Sequence, residues 1–145
     1  MKVALGADEN THLVAVIAEH LEQKGHAVRR FGAAGGEAEP WGETGARVAE
    51  SVARGEHEVG IVCCWTGTGV SIAANKVRGV RAALCADAET ARGARKWNDA
   101  NVLALSLRST SDQMAREILD AWFSEPYGKT EDPSLQAIER REGSG

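Results

Sequence analysis

The sequence predicts a doubly wound α/β fold, with one parallel sheet carrying helices on both faces. Five short apolar runs recur along the 145 residues, at Lys2 to Gly6, His26 to Phe31, Val59 to Cys64, Val80 to Cys85 and Val102 to Ser106. Each is followed by a longer stretch with helical spacing, so that strands and helices alternate. Runs such as Gly60-Ile61-Val62-Cys63-Cys64 are almost continuously apolar, as strands covered on both faces should be.

The helices follow in order. Asn10 reads as an N-cap before Leu13, Ile17 and Leu21, whose four-residue spacing makes an apolar stripe that ends near Gly25. A second helix is predicted over Gly45 to Arg54, with Val48 and Val52 on one face, and a third just after Gly69. The fourth covers Ala88 to Lys96. The fifth starts near Ser109, where Ser-x-x-Asp ends at Asp112, and turns Met114, Ile118 and Trp122 inward. Gly32 to Thr44 reads as a Gly-rich loop, too long for a plain connection, that presents an exposed Trp41. A single domain is expected over residues 1–128, followed by a tail over 129–145, helical in part and then disordered.

Composition narrows the function. Seventeen Lys and Arg against twenty-one Asp and Glu give a net charge of −4, which argues against a nucleic-acid partner. No apolar run approaches the roughly 20 residues that cross a bilayer, so no membrane partner is expected. The N-terminus lacks the apolar run of a secretion signal, and three cysteines with two adjacent make a poor disulfide framework; both point to the cytoplasm.

Ligands of an open parallel sheet bind beyond the carboxyl ends of its strands. There stand Asp8-Glu9-Asn10, Cys64-Trp65-Thr66-Gly67-Thr68-Gly69 and Ala86-Asp87, and Trp97-Asn98-Asp99 precedes the last strand. Cys64 ends a strand just before a helix start, whose amides and dipole stabilise negative charge on its sulfur. The Thr66 to Gly69 amides could hold a carbonyl oxygen as it becomes anionic. Spacing alone reads Cys64 equally as a base or as a small buried hydrophobe. Cys63 and Cys85, inside strands, read as core.

The run Gly60-Ile-Val-Cys-Cys64-Trp-Thr-Gly-Thr-Gly-Val-Ser-Ile-Ala-Ala-Asn-Lys76, continued by Gly79-Val-Arg-Ala-Ala-Leu-Cys85, resembles the ribose-5-phosphate isomerase B and galactose-6-phosphate isomerase family. Lys2-Val-Ala-Leu-Gly-Ala-Asp8, Asn98-Asp-Ala-Asn-Val-Leu-Ala104 and Ile118-Leu-Asp-Ala-Trp122 support it, so the resemblance covers residue 2 to about 127. It implies a Rossmann-like, five-stranded, three-layer α/β/α domain. It also implies a homodimer or dimer of dimers with sites near the interface, and aldose–ketose isomerisation through an enediolate without metal or other cofactor. Cys64 matches the base, Thr66, Gly67 and Gly69 the anion-stabilising loop, and Asp8 and Asn98 substrate contacts. Trp65, Thr68 and Ser71 fall within the same motif.

Departures from the family pattern define this chain. Glu9 and Trp97 stand where the family has histidines, and the histidine at the second position is its ring-opening residue. Val70 replaces the glutamate of the other catalytic branch. Thr130 and Ser134 align with two phosphate-clamping arginines, and Trp41 takes the place of a loop tyrosine. Trp41, Trp65 and Trp97 thus line the expected pocket, where stacking could replace phosphate recognition. The four histidines His12, His20, His26 and His57 read as ordinary surface residues. The resulting expectation is a divergent isomerase of a small sugar or sugar phosphate. The alternative is an altered member that binds or epimerises a non-phosphorylated or aromatic carbonyl ligand.

Overall fold

A computed structural model describes residues 1–143. The strands β1 (Lys2–Ala7), β2 (Ala27–Gly32), β3 (Val59–Cys64), β4 (Ala82–Leu84) and β5 (Val102–Ser106) form one sheet in the order β2-β1-β3-β5-β4, every pair parallel. This is the predicted α/β class. The helices are α1 (His12–Gln23), α2 (Trp41–Ala53), α3 (Thr68–Asn75), α4 (Ala88–Asn98), α5 (Asp112–Ser124) and α6 (Asp132–Gly143).

Two apolar layers hold the sheet. Leu5, Ile61, Leu103 and Leu105 point to the face covered by α1, α4 and α5, where Ile17, Leu21, Ile118 and Trp122 are buried. Ala4, Val62, Val102 and Ala104 point to the other, against Val48 of α2 and Val70 of α3. Side chains alternate across each strand, so strands buried on both faces must be apolar at every position. Gly6 and Gly60 let α2 approach closely, because a Cβ at either would lie 2.7 Å from a Val48 methyl.

Several boundaries differ from the sequence reading. Thr11, not Asn10, caps α1 by accepting from the Val14 amide, and Ser111, not Ser109, caps α5 through the Met114 amide. Helix α2 starts at Trp41, four residues before the predicted start, directly after Pro40. Pro40 has the fixed φ that suits a helix entrance, and burial against β1 and α3 outweighs the low helix propensity of Gly42 and Gly45. Trp41 therefore belongs to a helix rather than a loop. Helix α3 begins at Thr68 and β4 keeps only three residues.

His57 corrects the surface reading of the histidines. It is buried, stacked edge-on against Phe31, with Nδ1 unpartnered among the described residues. His12 and His20 instead bridge α1 to α5, bonding Asp112 at 2.9 Å and Asp120 at 2.7 Å. Past α5, Tyr127 bonds Asp132 and the chain enters α6, which has no buried residue and is tied back by a Glu142 carboxylate accepting from the Gly79 amide. The last two residues of the expected disordered end lie outside the described residues.

Candidate active site

The carboxyl ends of β1, β3 and β5 build the site. Ala7 pairs with Cys63 and Cys64 with Ser106, so Asp8, the residue after β1, stands beside Cys64 and Ser106, which end the neighbouring strands about 4.8 Å apart. Alternation along β3 puts Cys63 in one core and Cys64 in the other. Burial pushes the Cys63 thiol up to about 12 and that of Cys85 to about 11, which makes both poor nucleophiles at neutral pH. Cys64 differs in position: it is the terminal residue of its strand and is 5% exposed.

The loop after Cys64 is fixed from β5. The Leu107 amide donates to the Cys64 carbonyl at 2.9 Å, the Arg108 amide to the Trp65 carbonyl at 3.0 Å, and the Ser106 hydroxyl to the same Trp65 carbonyl at 2.9 Å. Gly67 then takes φ +78° as the N-cap of α3, a conformation that only glycine adopts without strain. It has no side chain to cap the helix, so the first-turn amides of Thr68, Gly69 and Val70 lack intrahelical acceptors and can meet an anionic oxygen. The Thr66 and Thr68 hydroxyls bond each other at 2.7 Å above this turn, and the Ser71 N–H completes it by donating to the Gly67 carbonyl at 3.3 Å.

Around this centre lie exposed aromatic surface and carboxylates. Trp41 packs on Gly69, where a Cβ would be 2.9 Å from its ring, and yet Trp41 is 49% exposed; Trp65 is 57% exposed. Asp8 has one buried carboxylate oxygen with no hydrogen-bond partner among the described residues, and Glu9 beside it is exposed. Arg108 went unnoticed in the sequence. It lies two residues past the end of β5, is exposed, and makes no ion pair among the described residues. Its position just past the carboxyl end of a strand was the signal that could have found it.

Trp97 and Asn98 are not brought to this centre. Helix α4 runs back across the sheet and ends at its opposite edge, beside the residues that lead into β4, and β5 separates the two edges by roughly 13 Å. There Asp99 adopts φ 46° and is held by Arg81, whose Nε donates to its carbonyl at 2.8 Å, and by Arg95 at 3.3 Å. Trp97 packs on Gly93 and, with Asn98, lines a cavity of about 680 Å³ beneath Leu135 and Ile138 of α6. The site residues thus fall into two groups within one chain. Among the described residues no cluster of His, Cys, Asp or Glu suits a metal ion, and no helix is long and apolar enough to cross a membrane.

A parallel α/β sheet thus carries, at its carboxyl edge, a cysteine followed by a glycine-capped helix start with uncapped amides. The pattern described as Ribose/Galactose Isomerase matches residues 3–138, and the chain belongs to that family of sugar-phosphate isomerases. It is 36% identical over 141 residues to D-erythrulose-4-phosphate isomerase of Pectobacterium atrosepticum, covering 95% of this chain and 93% of that protein. With ribose-5-phosphate isomerase B of Escherichia coli it shares 37% identity over 145 residues, covering 97% of each. The solved structure of Clostridium thermocellum ribose-5-phosphate isomerase B superposes with a TM-score of 0.93 at 38% identity, covering 99% of both chains.

Proposed function

We propose that the protein is an aldose–ketose isomerase of a small sugar or sugar phosphate, with Cys64 as the base. The observation that carries this reading is the placement of Cys64 at the end of β3, followed at once by a helix start with uncapped amides. The Cys64 thiolate takes the proton from C2 of the open-chain aldose. The C2–H electron pair becomes the C1–C2 double bond, and the carbonyl π electrons move onto O1, which the Thr68 to Val70 amides stabilise. The thiol then returns the proton to C1 while the O2 proton passes to O1, giving the ketose with no net oxidation. Asp8 accepts from a substrate hydroxyl and Thr66 orients the reacting end.

The separation of Trp97 and Asn98 from Cys64 supports a homodimer in which Asn98 of one protomer faces the Cys64 centre of the other. Trp65, Ile72 and Leu84, exposed beside that centre, give an apolar surface for the contact. Ketose formation from an aldose, followed by carbon NMR, tests the assignment. Cys64→Ala should lower the rate by about 10²–10⁴-fold, the range for loss of a positioned base. An unchanged rate in the folded variant would remove Cys64 from the reaction.

A further inference from the structure

Asn98 is placed by its neighbours rather than by its own side chain. It is the last residue of α4, it is exposed, and its side-chain amide makes no hydrogen bond among the described residues. Its direction is therefore set by the backbone of Asp99, which turns the chain from α4 towards β5. Asp99 sits at φ 46° and ψ 43°, the left-handed region that a residue with a Cβ enters only at a cost.

Two partly buried arginines hold it there. Arg81 donates from Nε to the Asp99 carbonyl at 2.8 Å and reaches one Asp99 carboxylate oxygen at 3.5 Å. Arg95 donates to the other carboxylate oxygen at 3.3 Å and to the Ala100 carbonyl at 2.6 Å. Arg95 belongs to α4 itself, whereas Arg81 comes from the segment that leads into β4. The Arg81 amide donates to Asn101 Oδ1 at 2.7 Å, and its carbonyl accepts from the Asn101 amide at 3.0 Å, so Arg81 is anchored beside the start of β5. It also lines the same cavity as Trp97 and Asn98.

Resting on the isomerase reading above, in which Asn98 enters the partner's Cys64 centre, we infer that Arg81 is a positioning residue for the reaction. By clamping Asp99 in its left-handed turn, it aims the Asn98 side chain at the substrate without itself touching it. A guanidinium suits this task because its rigid fork meets a carbonyl and a carboxylate together, which the point charge of a lysine holds less firmly.

The test is a double-mutant cycle of Arg81→Ala and Asn98→Ala, assayed by steady-state kinetics and C2 proton exchange on ribose 5-phosphate and erythrulose 4-phosphate. Arg81→Ala should lower kcat by about ten- to a hundredfold, the scale of a misplaced contact, with Arg81→Lys between it and wild type. In the Asn98→Ala background the same change should lower kcat by less than about twofold, because the side chain it aims is gone. A general loss of structure would instead weaken both backgrounds alike. Refolded together with Cys64→Ser chains, Arg81→Ala chains should recover about a quarter of wild-type activity, and refolded with Asn98→Ala chains they should recover none. If Arg81→Ala does not fold, Arg81→Lys carries the same cycle.

Equal effects of the Arg81 change with and without Asn98, or no effect at all, would overturn the inference and leave the isomerase reading standing. Full activity of Asn98→Ala, or no turnover of either sugar phosphate by wild type, would sink that reading and the inference with it.

Discussion

The hydroxyl of Ser106 donates to the carbonyl of Trp65 at 2.9 Å, so that the end of β5 fixes the loop that opens at Cys64. Ser106 in turn accepts from the Ser109 hydroxyl at 2.8 Å, and it is buried. Ser106→Ala leaves the Trp65 carbonyl without this donor. The expected loss is about 1 kcal/mol of stability, with a fall in kcat larger than any change in KM, since the loop aligns the transition-state oxygen more than it binds substrate. Urea denaturation and steady-state kinetics together check this.

Gly67 and Gly69 should respond differently to alanine. At Gly67 the backbone is left-handed and a Cβ would lie 2.9 Å from the Leu105 backbone, so Gly67→Ala should cost about 1–3 kcal/mol and lower the melting temperature. At Gly69 the obstacle is the Trp41 ring, which can swing away. Gly69→Ala should therefore leave stability nearly intact while shifting tryptophan emission and raising KM.

His57 sets a pH dependence of stability. Burial, together with the nearby Arg29 guanidinium, holds its imidazole below the ordinary histidine value. As pH falls below about 6.5 the unfolded chain takes up the proton first, so stability drops until the folded-state value is passed and then levels off. His26, lowered by burial and the N-terminal ammonium, acts in the same direction. His57→Phe should flatten the fall in stability between pH 6.5 and 5, read by urea titrations at several pH values.

Complementation tests the shared site. Cys64→Ser and Asn98→Ala chains, each inactive or impaired alone, should recover about a quarter of wild-type activity when unfolded and refolded together, because half of the random dimers carry one intact centre of two. A mixture no more active than its components would place Asn98 outside the partner's site.

Much of the fold was legible because continuous apolar runs are a strong signal: β3 and β5 fall on their predicted residues. Capping was less legible, since Asn10 and Thr11, like Ser109 and Ser111, are both capable of capping and the local backbone selects one, in α1 the intrinsically weaker Thr11. The start of α2 was hidden by its glycines, of which Gly45 acts as a packing site against Val70 rather than as a break. In the candidate site, Cys64, Asp8 and the Thr66 to Gly69 loop could be placed from strand ends alone. Trp97 and Asn98 could not be placed that way, because a residue that precedes a parallel strand sits at the end of a returning helix, on the far edge of the sheet.

The role of Cys64 is tested most directly by proton NMR in heavy water, following deuterium entry at C2 of the open-chain sugars with wild type and Cys64→Ser. Exchange should be catalysed by wild type and reduced by at least about a hundredfold in Cys64→Ser. Equal exchange by both proteins, with the variant shown to be folded, would contradict it.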